Sequence, residues 1–191
     1  MGCPPGRGEA HLMSDAFLIM GPPAAGKSTV ARALMRRFPR GVHIPVDDVR
    51  HMVTSGLVDM SFEISDELLA QLALAHEAAA LMARTYTRAG FVAALDDFWF
   101  GEQPEADYQR LLGPGLHCVL LRPQRAAVLE RLAARGTDGD SFRPLLEQAI
   151  AFVDDELERH PKVGWHVIDS TRLTVEETVD AILHATGVQP R

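Results

Sequence analysis

The chain has 191 residues, 47% of them hydrophobic, and a net charge of −7. This length suits one domain with a sizeable core, and the composition is that of a soluble globular protein. The acidic charge argues against general nucleic-acid binding, and no apolar stretch reaches the length of a membrane span. Cys3 and Cys118 form no C-x-x-C pair, which excludes a disulfide framework and leads us to expect a reducing, cytoplasmic setting.

The pattern along the chain predicts a tail followed by one domain. Residues 1–13 are rich in Gly and Pro, and we expect them to form a disordered tail before a single domain over residues 14–191. The alternative is that they precede the native start and that the protein begins at Met13. From Ala16 onward, short apolar runs alternate with longer amphipathic ones, which is typical of a parallel sheet covered by helices. The predicted strands are Ala16–Met20, Val42–Val46, Phe91–Leu95, Leu116–Leu121 and Gly164–Ile168.

Helices are predicted between these strands, with boundaries set by capping residues, Gly and Pro. A polar, Gly-rich segment at Gly136–Ser141 lies between two of them and predicts a mobile lid. The predicted helices are Lys27–Phe38, a short one after Asp48, Ser65–Ala89, Pro104–Leu112, Pro123–Arg135, Pro144–Arg159 and a last one that opens with a capping box at Thr174 and ends before Gly187.

The first predicted strand leads into a sequence that fits the phosphate-loop pattern G-x-x-x-x-G-K-S/T. Gly21 and Gly26 allow the tight bend that turns backbone N–H groups towards a phosphate. Lys27 is expected to reach the β- and γ-phosphates, and Ser28 to place its hydroxyl on Mg²⁺. We therefore predict a nucleoside triphosphate site made by Gly21, Pro22, Pro23, Ala24, Ala25, Gly26, Lys27, Ser28 and Thr29.

Two carboxylates, Asp47 and Asp48, follow the second predicted strand. The carboxyl ends of parallel strands share one edge of a sheet, so these side chains are expected beside the phosphate loop. Asp47 is predicted to accept a proton from an acceptor hydroxyl, and Arg50 to hold an anionic or polar part of that acceptor. The alternative is that Asp48 caps the next helix, which is compatible with the first role.

A second acidic pair, Asp96 and Asp97, follows the third predicted strand. P-loop proteins hold Mg²⁺ with an acidic residue at such a strand end. The register slightly favours Asp96 over Asp97 as the metal ligand, and which of the two serves the metal stays open. With Asp96 as the ligand, Asp97 is assigned to the acceptor side. The alternative is that both are solvated turn carboxylates.

Four arginines precede or lie on the helix that leads to the Gly-rich segment, namely Arg122, Arg125, Arg131 and Arg135. Arg131 and Arg135 are spaced i, i+4 and share a face. Because they lie nearest the predicted lid, they are predicted to neutralise charge on the transferring phosphate, with Arg131 also contacting the nucleotide. The alternative is a solvated helix face. Asp169-Ser170-Thr171, after the last strand, either flanks the adenine or only caps a turn.

Three stretches together carry a family resemblance: the phosphate loop, Val46-Asp47-Asp48-Val49-Arg50, and Ala94-Leu95-Asp96-Asp97-Phe98-Trp99-Phe100-Gly101. From Ala16 onward the chain resembles chloramphenicol phosphotransferase-like P-loop kinases and, more distantly, gluconate kinases and zeta-toxin-type kinases. The resemblance implies a three-layer α/β fold with a five-stranded parallel sheet in the order 2-3-1-4-5 and a lid after strand 4. It also implies ATP and Mg²⁺, and it matches Asp47 to the family's proposed base.

The resemblance implies an ATP-dependent kinase that phosphorylates a hydroxyl group of a small molecule. It places the acceptor pocket in the segment from about Arg50 to His76, where Met52, Leu57, Met60 and Phe62 suit either a partly apolar acceptor or helix packing. Two other functions stay open: a nucleotide-binding ATPase or switch without an acceptor, and a kinase of a nucleotide or UDP-sugar. The acceptor and the oligomeric state are not predicted.

Overall fold

The computed structural model describes residues 14–61, 63–98, 105–134, 143–160 and 162–190. Within them, five strands form one parallel sheet in the spatial order β2-β3-β1-β4-β5, which confirms the predicted order. The elements are β1 Ala16–Met20, α1 Lys27–Met35, β2 Gly41–Pro45, α2 Val46–Arg50, α3 Asp66–Arg88, β3 Val92–Asp96, α4 Glu105–Leu112, a 3-10 turn Gly113–Gly115, β4 Leu116–Leu121, α5 Arg125–Ala134, α6 Arg143–Arg159, β5 His166–Ile168 and α7 Val175–Thr186.

The central strand β1 is buried on both faces, because helices cover the sheet on both sides. Phe17 and Ile19 pack into a core with α1 and α7. Leu18 and Met20 point the other way, into a core with α3 and α4. Each fully buried side chain of this size contributes roughly 1.5–3 kcal/mol to folding, so these two cores fix β1 and the loop that follows it.

Two helices begin at side-chain caps that the sequence predicts. The Ser65 side chain accepts a hydrogen bond from the backbone N–H of Leu68 and starts α3. Thr174 and Glu177 form the reciprocal capping box of α7. Such caps satisfy N–H groups that have no partner inside the helix, and each stabilises it by about 1 kcal/mol.

The start of α2 differs from its prediction. This helix begins at Val46, directly after β2, so Asp47 and Asp48 both lie in its first turn. The cap position is Pro45, and no side chain caps the helix, so the alternative role of Asp48 as the cap is wrong. Pairing of β2 with β3 ends at Pro45, and the helix begins at the next residue, Val46, whose side chain packs in the core beside β3 and α3.

The ends of β2 and β3 move by one residue relative to the prediction. Asp96 is the last residue of β3 and pairs with Ile19 of β1 and Pro45 of β2.

Among the described residues, no helix has both the length and the apolar character of a membrane span. Several sequence predictions fall outside the described residues, namely the tail over 1–13, Phe62, the stretch 99–101, Arg135 and the lid over 136–141.

Candidate active site

The loop between β1 and α1 contains three residues with positive φ, Gly21 at 153°, Ala24 at 60° and Gly26 at 95°. A side chain at Gly21 would put its Cβ 2.5 Å from the carbonyl oxygen of Leu121, so the loop lies against the end of β4 and only glycine fits. Ala24 is held in a conformation that costs a non-glycine residue roughly 1–2 kcal/mol. Strain of this kind is commonly found at ligand sites, where surrounding packing maintains it.

The first turn of α1 has the features of an anion site. Gly26 occupies its cap position, and no side chain caps the helix. The first backbone N–H groups of α1 therefore have no side-chain acceptor, which leaves them available to an anion. The Lys27 ammonium donates hydrogen bonds to the carbonyls of Gly21 at 3.1 Å and Pro22 at 3.2 Å, and so lies against its own loop.

Ser28 and Asp96 meet where the loop faces the end of β3. The Ser28 hydroxyl donates to Asp96 Oδ2 at 2.5 Å, and His43 Nε2 lies 2.5 Å from Asp96 Oδ1. A hydroxyl and a carboxylate are the oxygen ligands that Mg²⁺ prefers, and Mg²⁺ bound with a nucleotide takes only one or two protein ligands. Ser28 and Asp96 fit such an ion, while no cluster of three or more His, Cys, Asp or Glu ligands occurs in the described part of the chain.

Asp97 is buried and accepts hydrogen bonds from three directions. The donors are its neighbour Phe98 N–H at 2.7 Å, the Tyr108 hydroxyl at 2.7 Å and His76 Nε2 at 3.2 Å. Burial lowers the pKa of His76, but the hydrogen bond and charge of Asp97 outweigh it, so that pKa lies above its usual value. Asp97 thus ties α3 and α4 to the end of β3, and its contact with an acceptor stays a prediction.

Asp47 reaches solvent from the first turn of α2. Its pKa is raised above the usual value, because the surrounding protein removes part of its water and because Asp97 and Asp96 repel a further negative charge. The positive charges of Lys27 and His51 act in the opposite direction. A carboxylate with a raised pKa holds a proton more tightly, which suits a general base.

Arg50 is buried, and its Nη2 donates to the carbonyl of Val58. Gln71 of α3 binds the same segment, since its side chain accepts from Val58 N–H at 3.0 Å and donates to Gly56 O at 2.8 Å. Arg50 therefore fastens the chain that follows α2. Its Nε is buried and has no hydrogen-bond partner among the described residues, and a contact of Arg50 with an acceptor stays a prediction.

Arg131 binds the loop that follows β5. Its Nη2 donates to the carbonyls of Ser170 at 2.7 Å and Thr171 at 3.3 Å. Its helix α5 also contributes to a small core against which Ala24 of the phosphate loop packs. Asp169 accepts hydrogen bonds from the Thr171 hydroxyl and from Thr171 N–H, the latter at 2.9 Å, and these bonds lower the pKa of Asp169 and cap the turn. A contact of Arg131 with phosphate stays a prediction.

Five predicted residues meet at the carboxyl edge of the sheet. Ser28 and Asp96 are in direct contact, and the charges of Lys27, Asp96 and Asp97 act on Asp47. Sequence reasoning missed three residues that hold the acidic pair, namely His43, His76 and Tyr108. No local motif marks these three, because each meets its carboxylate only through the tertiary fold.

Comparison with known proteins identifies the family and supports the fold. Residues 17–160 match the AAA domain family. No curated protein matches the chain. The chain is similar to a sugar kinase from Janibacter sp. HTCC2649, with a TM-score of 0.66, 15% identity, and 93% of this chain and 96% of that chain covered.

Two further solved structures are similar. A gluconokinase from Sinorhizobium meliloti 1021 has a TM-score of 0.62 and 17% identity, with 92% of this chain and 93% of that chain covered. The Mycobacterium tuberculosis APS kinase in complex with AMPPNP and APS has a TM-score of 0.64 and 13% identity, with 92% and 99% covered. These likenesses show a P-loop kinase fold, and the match over residues 17–160 means that the chain belongs to the AAA domain family.

Proposed function

We propose that this protein is an ATP-dependent phosphotransferase that moves the γ-phosphoryl group of ATP to a hydroxyl group of a small molecule. The observation that supports this most is a carboxylate, Asp47, close enough to Lys27 for their charges to interact. Nucleotide binding alone requires the phosphate loop and a metal site, whereas phosphorylation of a hydroxyl also benefits from a positioned base.

The nucleotide side of the proposed site consists of the loop Gly21 to Thr29 and the first turn of α1. Backbone N–H groups bind the phosphates, and Lys27 stabilises charge on the γ-phosphoryl group. Ser28 and Asp96 hold Mg²⁺, which neutralises charge on the phosphate oxygens. Arg131 of α5 and Arg135 are proposed to add positive charge close to the transferring phosphoryl group.

On the acceptor side, Asp47 takes the proton of the acceptor hydroxyl. The hydroxyl oxygen forms a bond to the γ-phosphorus while the bond from that phosphorus to the bridging oxygen of ADP breaks. Arg50 and Asp97 are proposed to hold the acceptor. Exclusion of water from the filled crevice favours transfer over hydrolysis.

Charge favours a neutral or cationic acceptor. Between residues 47 and 67 the only Lys or Arg is Arg50, and one of its guanidinium nitrogens is already bound to Val58 O. A nucleotide or UDP-sugar would need more anion-binding groups than this segment offers. The acids in the same stretch are Asp47, Asp48, Asp59, Glu63, Asp66 and Glu67.

The apolar residues Met52, Leu57 and Met60 in this segment suit a partly apolar compound, and Met52 is strongly exposed. Together with the resemblance to chloramphenicol phosphotransferase-like kinases, this makes a neutral, partly apolar alcohol of the chloramphenicol type the first acceptor to test.

The test is incubation of the protein with Mg²⁺ and ATP in the presence of chloramphenicol, gluconate and other sugar acids, nucleosides, aminoglycosides or UDP-sugars. Product is identified by mass spectrometry and ADP is measured in parallel. We expect one phosphorylated product from a neutral or cationic acceptor, with ADP formed in equal amount. ATP hydrolysis at the same rate with and without every acceptor would contradict the proposal and favour an ATPase or switch.

A further inference from the structure

His43 lies on β2, next to the strand that carries the proposed metal ligand. Its ring is largely buried, and its Nε2 lies 2.5 Å from Asp96 Oδ1. In the sheet register His43 pairs with Ala94, so its side chain reaches along β3 to the carboxylate two residues further on. An ionised carboxylate only accepts hydrogen bonds, so Nε2 carries the proton and donates it.

The two oxygens of Asp96 have different partners. His43 binds Oδ1, while Oδ2 faces the Ser28 hydroxyl at 2.5 Å. Asp96 is buried, and a buried carboxylate without hydrogen bonds is costly. With one oxygen fixed by His43, the carboxylate cannot rotate freely, and the other oxygen stays directed at Ser28.

We propose that His43 is a positioning residue for the metal site: its Nε2–H fixes the Asp96 carboxylate so that Oδ2 and the Ser28 hydroxyl present paired oxygens to Mg²⁺. This inference rests on the proposed function, in which Mg²⁺ accompanies ATP. Side chains that orient a ligand through its second atom tune metal affinity in this way.

A second His–Asp pair on the same sheet provides a matched control. His117 of β4 lies 2.9 Å from Asp15, which precedes β1 and therefore sits at the opposite end of the sheet from the phosphate loop. Both pairs connect a strand to a neighbouring segment through His Nε2. Loss of either His–Asp pair can lower the stability of the sheet, whereas only substitution of His43 is expected to lower the affinity for Mg²⁺.

The experiment measures binding of the non-hydrolysable analogue AMPPNP by calorimetry, first in EDTA and then over a series of Mg²⁺ concentrations. The variants are His43→Ala, His43→Asn, His43→Gln and His117→Ala. Gln keeps an N–H donor near the position of His Nε2, whereas the shorter Asn does not reach it. Thermal unfolding of each variant checks that it is folded.

We expect His43→Ala and His43→Asn to raise the Mg²⁺ concentration needed for half-maximal enhancement of AMPPNP binding by about 10- to 100-fold. Binding in EDTA stays unchanged, His43→Gln recovers most of the Mg²⁺ response, and His117→Ala leaves it intact. If His43→Ala does not fold, the difference in Mg²⁺ response between His43→Asn and His43→Gln tests the role of His43.

An unaltered Mg²⁺ response in His43→Asn, or an equal loss in His43→Asn and His43→Gln, would overturn the role of His43 while the proposed function stands. Failure of the unsubstituted protein to bind AMPPNP at any Mg²⁺ concentration would instead overturn the proposed function and this inference with it.

Discussion

The proposed nucleotide side and the proposed acceptor side of the site at the carboxyl edge of the sheet are built differently. On the nucleotide side, Lys27, Ser28 and Asp96 are held by direct contacts with the loop and with β3. On the acceptor side, Asp47 is open to solvent. The chain after α2 is held by hydrogen bonds from its Val58 backbone to the side chains of Arg50 and of Gln71 in α3. In the proposed function, the rigid nucleotide side would bind ATP in the same way whatever the acceptor is. The acceptor-side segment could then vary in sequence without changing the residues that bind ATP.

Removing the cation of the nucleotide side should have the largest effect. Lys27→Ala is expected to lower kcat for transfer by about 10²- to 10³-fold, because the γ-phosphoryl group loses a charged donor. Steady-state kinetics with saturating ATP measure this. Arg36→Gln, an exposed cation just beyond the far end of α1, is the control and should keep its activity. Equal activity of Lys27→Ala and the unsubstituted protein would contradict the role of Lys27 on the nucleotide side.

Two glycines compare the sides directly. Gly21→Ala brings a Cβ to 2.5 Å from Leu121 O and should lower the free energy of unfolding by about 1–3 kcal/mol, with loss of ATP binding. Gly56→Ala, in the acceptor-side segment, meets no atom within 4 Å and has only its positive φ to accommodate. Urea unfolding measures the stability of each variant, and AMPPNP binding measures whether the phosphate loop still binds the nucleotide. Retained ATP binding in Gly21→Ala would show that the loop is not held against β4.

The anchoring of the acceptor-side segment predicts a smaller, selective effect. Gln71→Ala removes the contacts with Val58 N–H and Gly56 O and should raise KM for the acceptor about 3- to 10-fold, with KM for ATP unchanged. Glu67→Ala removes only an exposed partner of the same glutamine and serves as the control. An equal rise in both KM values for Gln71→Ala would mean that the two sides are not independent.

The smallest predicted effect is on pH dependence. Asp47 must be ionised to act as a base, so kcat/KM falls on acidification through its pKa, which lies above the usual value of 3.8. Asp97→Asn removes a negative charge that raises this pKa, so the acid limb should move to lower pH. The pH profiles of both proteins measure it, and a limb that stays in place or moves to higher pH would contradict the coupling.

The sequence predicts the fold well because the signals for it are local. Apolar runs, the glycine-rich loop and the caps at Ser65 and Thr174 each specify structure within a few residues. The order of the strands followed from the resemblance and is confirmed. The bounds of β2 and the start of α2 differ from the prediction, because strand pairing ends at Pro45 and Val46 packs in the core as the first residue of the helix, and both depend on tertiary contacts.

The site was predicted less completely. Lys27, Ser28 and Asp96 follow from the spacing of a motif, but the partners of the acidic pair are distant in the chain: His43 lies 53 residues before Asp96, and Tyr108 lies 11 residues after Asp97. Arg50 was expected to face an acceptor because of its charge and its place three residues after Asp47. Its burial and its bond to Val58 O depend on how the chain returns after α2, which no local pattern encodes.

The central claim is that Asp47 accepts the proton of an acceptor hydroxyl. The most direct measurement compares Asp47→Asn with Asp48→Asn, its exposed neighbour in the same turn of α2, by following phosphorylated product and AMPPNP binding together. The account predicts that Asp47→Asn loses acceptor phosphorylation and still binds AMPPNP, while Asp48→Asn keeps both. Acceptor phosphorylation by Asp47→Asn at the rate of the unsubstituted protein would contradict it.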